Sequence, residues 1–411
     1  MRPSEAKSST SNGSVVRILQ IHNSYRSEQP SGEDMVVQQE LSVLRGAGHD
    51  VSTYSAHSDD IRLMPPYQKA AVPGRVIWSP KDRRGVDRIL AGSSTDVIHL
   101  HNPFPLISPS FLSAARKHRV PVVMTLHNYR LFCAAGTLLR DGAPCLDCLP
   151  RTPLPGLAHA CYRDSRAATA PLTASIAVHR GLGTWVKGVT RFIVMSEFAH
   201  GIMVRAGIPG EQISVKPHFI PAPKPPRTVP SMGHVLYLGR LSPEKGASVL
   251  LRAWRPSMGR LIIAGDGPLR AELEALAAPL GSSVEFVGAL DRETAMDYVA
   301  SARVLVNPSM AFETFGLSVA EAFAHSVPAV VPNRGVFPEL VRAGENGVVF
   351  EAGNPLALAD ALTSILAPGE AERMGAQART FYLENLAPER NLALLEKIYA
   401  ESVTAAAASS G

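Results

Sequence analysis

Short apolar runs alternate with amphipathic stretches along almost the whole chain. The first run, residues 15–22, predicts a strand, and a polar loop follows at 23–34. Residues 34–46 then carry Met35, Val36, Leu41 and Leu44 at helical spacing, with Gly46 and Gly48 to stop the helix. Further apolar runs at 49–54, 96–101, 121–127, 191–196 and 215–220 predict strands. Helical patterns fall at 83–91, 111–118, 166–182 (despite Pro171) and 197–206. After residue 233 the alternation restarts. Strands are expected at 235–238, 260–264, 284–287, 304–306, 329–331 and 347–350. Helices are expected at 246–254, 269–277, 292–300, 355–366, 369–384 and 387–402. Strands separated by helices imply parallel sheets, so the fold class is α/β, with two Rossmann-like doubly wound halves.

The pattern breaks in three places. Residues 1–14 are polar and read as a disordered lead without a signal-peptide core. Residues 131–165 interrupt the rhythm and hold all four cysteines. Residues 221–232 contain Pro221, Pro223, Pro225, Pro226 and Pro230, a stiff linker between halves 15–220 and 233–385. A helix at 386–403 and a fraying tail at 404–411 end the chain. At 411 residues, two cores are expected rather than one. No apolar run reaches membrane-spanning length, so a cytoplasmic protein is expected. The net charge of +5 suits anionic ligands or the inner face of a membrane. No basic block resembles a nucleic-acid-binding arm.

Candidate chemistry gathers at strand ends. Residues 307–325, NPSMAFETFGLSVAEAFAH, read as turn, loop and helix start, with Gly316 at the junction. Such a turn presents backbone N–H groups to a phosphate. Glu313 lies in the loop, and Glu321 about five residues into the helix, roughly 7.5 Å further along its axis. That separation suits two grips on one elongated ligand rather than a proton-sharing pair. Gly239-Arg240 follows one strand and Lys245-Gly246 precedes a helix, so two cations can converge on a diphosphate. Gly265-Asp266-Gly267-Pro268 is another tight turn at a strand end. In the first half, Gly32 lets backbone approach a ligand, and His127 ends a strand. His99 and His101 share one face of a strand, where structural histidines are favoured over a metal pair. Neither a nucleophile elbow nor a P-loop nor a dinucleotide fingerprint is present.

The order Gly239-Arg240, Lys245-Gly246, Gly265-Asp266-Gly267-Pro268, Glu313-Thr314-Phe315-Gly316-Leu317 and Glu321-Ala322 resembles the glycosyltransferase family 4 group, retaining enzymes of GT-B fold. The likeness spans residues 15–385. It implies that Glu313 contacts the donor sugar and Glu321 the ribose. It implies that Arg240, Lys245 and the backbone at Phe315, Gly316 and Leu317 hold the diphosphate, with Gly239, Gly265, Asp266 and Gly267 also on the donor. His127 matches the family's active-site histidine, and Gly32 its N-terminal glycine loop, with Ser31 where a second glycine is usual. The later Gly-Gly-x-x-Glu pattern appears with Arg334 before Gly335 and Glu339 at its end. The implied function is sugar transfer from a nucleotide-diphosphate donor, UDP or GDP, to a glycan, glycolipid or lipid-linked acceptor in polysaccharide or cell-envelope assembly. Lacking an Asp-x-Asp site, catalysis should need no metal cofactor. A nucleotide-sugar 2-epimerase and a non-catalytic nucleotide-sugar-binding relative are the alternatives.

Within the insert, Cys145 and Cys148 form a C-x-x-C pair flanked by Cys133 and Cys161, among turn residues Gly136, Gly142 and Pro144. Four thiolates so arranged can hold a structural zinc ion. The alternative is unligated thiols or a redox pair.

Overall fold

The computed structural model describes residues 15–25, 27, 32–150, 152–223 and 233–408. The expected lead 1–14 and most of the expected linker lie outside the described residues. The strands are β1 (Arg17–Ser24), β2 (Asp50–His57), β3 (Val97–Leu100), β4 (Val122–Thr125), β5 (Leu139–Arg140), β6 (Ala143–Pro144), β7 (Arg191–Val194) and β8 (Ile213–Val215) in the first half. The second half has β9 (His234–Leu238), β10 (Leu261–Ala264), β11 (Val284–Gly288), β12 (Ala302–Val306), β13 (Ala329–Pro332) and β14 (Gly347–Phe350). Two six-stranded sheets result, in the orders β2-β1-β3-β4-β7-β8 and β11-β10-β9-β12-β13-β14. Every pairing within them is parallel. Helices cover both faces, which is why central strands such as Leu261–Ala264 are apolar and buried at every position rather than alternating.

The strand order places the ligand crevice. In the second sheet the order reverses beside β9, between β9 and β12. Loops leaving neighbouring strands at such a switch point run to opposite faces and open a crevice at the carboxyl edge. The loops after β9 and β12 carry Arg240, Lys245 and Glu313. In the first sheet the reversal lies at β1 and β3, whose loops lead toward Gly32 and His101.

The chain end returns to its start. The last helix, Pro388–Ala408, buries Leu395, Ile398 and Tyr399 against Ile18, Val97, Val123 and Ile193 of the first sheet. Each such side chain contributes roughly 1.5–3 kcal/mol. This helix runs through residues expected to fray, because the alanines at 405–408 have the strongest helix propensity. The first helix, Gly32–Gly46, starts earlier than its apolar pattern, so Gly32 is its first residue rather than part of a loop. The strand expected to reach residue 220 stops at Val215. Beyond it the chain turns to bury Lys216 and His218, and Asn391 of the last helix donates to the Pro217 carbonyl.

Candidate active site

A cleft of about 600 Å³ separates the two halves, and most of the expected residues meet in it. Gly32 and His127 line it from the first half. Gly239, Arg240, Lys245, Glu313, Phe315, Gly316, Leu317 and Glu321 line it from the second. The halves touch here. A Cβ on Gly32 would stand 2.6 Å from Leu317 Cδ1. Thr314 Oγ1 donates to the His127 carbonyl at 3.0 Å. His218 meets the Phe315 ring edge-on at 5.0 Å.

The second-half wall is built from two loops clamped together. Met310 N and Ser309 Oγ both donate to the Glu244 carbonyl, at 2.8 and 3.0 Å. Gly246 sits at φ +69°, and a Cβ there would lie 2.0 Å from the Pro308 carbonyl oxygen, so no side chain fits. This clamp sets Lys245 Nζ 2.6 Å from Glu313 Oε1, which also accepts from Ser309 Oγ at 2.8 Å. Burial opposes ionisation of Glu313, but the Lys245 charge and the two hydrogen bonds outweigh it and hold the carboxyl below its usual range. Burial likewise opposes the Lys245 charge, and Glu313 more than restores it. The Arg240 side chain is exposed in the cleft and has no ion-pair partner among the described residues. Gly316, at φ +80°, opens the helix Leu317–Ala324. The first N–H groups of a helix lack intrahelical partners, and these face the same cleft. One exposed guanidinium, one ammonium and a helix N-terminus make a site for an anion of more than one charge.

Glu321 is buried, not a solvated helix residue, and pairs with Arg292 Nη1 at 2.5 Å. Burial raises its pKa despite that partner. None of Gly265, Asp266 and Gly267 lines the cleft directly. Both glycines are required by packing. A Cβ on Gly265 would lie 1.9 Å from the Gly239 carbonyl oxygen, and one on Gly267 2.4 Å from that of Leu241. Asp266 turns to Arg270 at 3.1 Å. Gly335, at φ +62°, packs on the Glu313 backbone. Glu339 caps the helix Glu197–Arg205 of the other half, accepting from Glu197 N and Phe198 N at 2.8 and 2.7 Å.

The first-half wall holds residues that sequence reasoning missed. Glu33 lines the cleft, accepting from Tyr25 OH at 3.2 Å, and burial with the adjacent Asp34 charge pushes its pKa up to about 8. His218 stacks on His127 at 5.1 Å between centroids. Behind them Glu40, His99 and His101 bring three ligand atoms within 4.8 Å of one another. His99 and His101 do share a face, with ring centroids 4.1 Å apart. Burial drives His101 and His218 down to about 3, and burial with its histidine neighbours drives His127 well below the usual range. All three rings are neutral near pH 7. No local signal announced these partners, which lie far apart in sequence.

Cys133, Cys145, Cys148 and Cys161 line one small cavity of about 20 Å³, away from the cleft. All four are free thiols, and burial raises Cys148 to about 11.

Two parallel-sheet domains facing across an anion-binding cleft define a sugar-nucleotide transferase of GT-B type. Two family models match in tandem: Glycosyltransferase Family 4 over residues 31–222 and Glycosyl transferases group 1 over residues 233–368. The chain belongs to the family 4 glycosyltransferases. It is 28% identical over 370 residues to a phosphatidyl-myo-inositol mannosyltransferase of Mycobacterium leprae, covering 83% of this chain and 85% of that one. It is 36% identical over 145 residues to a GDP-mannose-dependent alpha-(1-6)-phosphatidylinositol dimannoside mannosyltransferase of Mycobacterium tuberculosis, covering 34% and 37% of the two chains. The crystal structure of HepE from Anabaena in complex with UDP shares the fold, with a TM-score of 0.63 at 17% identity, covering 95% of this chain and 100% of that one.

Proposed function

We propose that this glycosyltransferase moves a hexosyl group, with retention, from a UDP- or GDP-sugar to a glycan, glycolipid or lipid-linked acceptor of the cell envelope or a polysaccharide. The observation that carries the proposal is the convergence of Arg240, the Lys245–Glu313 pair and the Gly316 helix start on one cleft wall, with His127 opposite. As the sugar's anomeric carbon leaves the diphosphate, positive charge grows on the ring and negative charge on the leaving oxygen. Arg240, Lys245 and the helix N-terminus lie where that negative charge grows, so they act more strongly on the transition state than on the ground state. Glu313 is suited to the donor sugar, and the buried Glu321 carboxylate with its exposed partner Arg292 to the ribose end. Closure of the two halves on bound donor would exclude the water that otherwise hydrolyses it.

The nucleotide choice rests on relatives: one is named for GDP-mannose and one structural neighbour holds UDP. A peripheral membrane contact is supported by exposed Leu63, Tyr67 and Trp78 beside the basic Arg62 and Lys69. No helix among the described residues is long and apolar enough to cross a membrane. The test is transfer from UDP- and GDP-sugars to lipid-linked and glycan acceptors. Transfer that disappears in Arg240→Ala, with melting unchanged, supports the proposal. Equal transfer by both proteins defeats it.

For the insert, Cys133, Cys145, Cys148 and Cys161 supply the ligand types of a structural zinc site around one cavity, and zinc binding would have to draw their sulfurs together, because no three of them lie within 4.8 Å of one another. Its role is to fix a loop whose only strands are the two-residue β5 and β6.

A further inference from the structure

Behind His127 the buried polar groups form one continuous chain drawn from five elements. Glu40 projects from the first helix. Its Oε2 lies 3.5 Å from Lys216 Nζ, and its Oε1 lies 3.3 Å from His101 Nε2 and 3.1 Å from His99 Nδ1. Lys216 also donates to Asn391 Oδ1 at 2.9 Å. His99 is held by Tyr399 OH at 2.7 Å and Thr125 Oγ1 at 2.8 Å. His101 Nδ1 stands 3.0 Å from His127 Nε2. Glu40, Lys216, His99 and His101 are all buried. His127 Nδ1 has no protein partner among the described residues, and its ring lines the donor cleft.

The protons along this chain can be placed from the charged end. Against the cost of burial, the neighbouring His99 and Lys216 hold Glu40 well below its ordinary range, so it is a carboxylate, which only accepts. His101 Nε2, 3.3 Å from that charge, therefore carries the ring hydrogen rather than a lone pair. Its Nδ1 is then bare and must accept, so the hydrogen between His101 and His127 belongs to His127 Nε2. One neutral imidazole carries one ring hydrogen, which leaves His127 Nδ1 as a lone pair. Gln20 offers a competing order. Its amide stands 3.2 Å from His101 Nε2, and an N–H donated there would reverse every hydrogen down to His127. Of the two contacts only the one with Gln20 has hydrogen-bond geometry, and Glu40 Oε1 makes none among the described residues; a bare Nε2 lone pair 3.3 Å from a buried carboxylate is still repelled, and an N–H there attracted, so the charge sets the order. Gln20 then turns its oxygen to His101.

We propose that Glu40 and His101 are positioning residues that lock His127 as its Nε2–H tautomer, so that His127 meets a substrate hydroxyl only as a hydrogen-bond acceptor through Nδ1. The role in transfer rests on the reading under Proposed function; the tautomer does not. A histidine fixed this way draws a sugar hydroxyl's hydrogen toward itself and cannot donate to a leaving group. Asn391 and Tyr399 make the last helix part of the device, which couples catalysis to docking of the chain end.

The test is long-range nitrogen–proton correlation NMR on the full chain labelled at histidine, with His127 assigned from His127→Gln. The expected spectrum at pH 7.5 shows His127 protonated at Nε2 and bare at Nδ1. A wild-type spectrum with the hydrogen on Nδ1 overturns the proposal, whether or not the protein transfers sugar. The double variant Glu40→Gln/Lys216→Met removes both charges together and strands neither. It should mix the two tautomers and lower kcat at least about tenfold with donor KM held. A purely structural role would lower the melting temperature and leave the nitrogen shifts alone, and that result overturns the proposal too.

Discussion

Replacing Lys245 by methionine separates two jobs that the structure gives one side chain. The ammonium lies 2.6 Å from Glu313 Oε1. At an effective dielectric near 20 the gross attraction is roughly 6 kcal/mol. Desolvation offsets most of it, and the lysine side chain is 33% exposed, so the net stability loss should be about 1–3 kcal/mol. The sign with pH follows from both partners. Glu313 is held below its ordinary 4.5, so its contribution is present above pH 4.5 and lost as pH falls through its lowered value. Lys245 is held above its ordinary 10.5, so its contribution is present below pH 10.5 and lost as pH rises through its raised value. Without lysine, burial raises Glu313 against the remaining Ser309 hydrogen bond. The variant should therefore lose most stability relative to wild type at pH 7–8 and least near pH 4. Transfer should fall by roughly 10²–10³, the usual cost of one charge-stabilising donor. The acidic limb of the kcat/KM profile should also move to higher pH than in wild type, as protonated Glu313 gives way to the carboxylate. Urea melts and initial rates from pH 4 to 9 measure all three. A variant within threefold of wild type, or one with an unchanged pH profile, refutes the coupling of Lys245 to Glu313.

Four other outcomes follow from named residues. Gly246→Ala places a Cβ 2.0 Å from the Pro308 carbonyl oxygen at φ +69°, so it should cost about 1–3 kcal/mol and most activity. Gly233→Ala, also at positive φ but with nothing within 4 Å, should cost about 1 kcal/mol and leave kcat/KM intact. Glu33, raised to about 8, favours folding in its protonated form; that contribution is full below pH 4.5 and fades as pH rises through 8. Glu33→Gln should thus stabilise the protein at pH 8 by up to a few kcal/mol relative to pH 5, read from paired urea melts. Metal analysis of purified protein should find one zinc per chain, lost in Cys145→Ser/Cys148→Ser; zinc-free protein with a normal melting curve contradicts the insert's assignment.

The elements that sequence exposed most clearly are those whose physics is local. Buried parallel strands such as Leu261–Ala264 read as unbroken apolar runs, and Gly316 marks a turn because its φ of +80° suits glycine. The donor wall was legible for the same reason: Arg240, Lys245, Glu313 and Gly316 sit on two short loops at one sheet edge. At the Gly265 turn the sequence does not distinguish a glycine that lets two loops touch from one that admits a ligand. The His127 support was illegible because its members come from residues 40, 101, 216, 391 and 399, and the His99–Tyr399 contact alone spans 300 positions. No periodicity records a contact of that range. Arg292 was hidden in a helix start that looked like ordinary surface, and only the fold turns it onto the buried Glu321.

The central claim is retaining transfer from a nucleotide-diphosphate sugar bound between Arg240 and His127. Proton NMR of the reaction with donor and acceptor together tests it most directly, because the anomeric signal reports both transfer and stereochemistry. The account predicts a product glycoside with the donor's own anomeric configuration, no conversion of the donor without acceptor beyond slow hydrolysis, and no product with Arg240→Ala. An inverted product, or a donor sugar epimerised in the absence of acceptor, contradicts it.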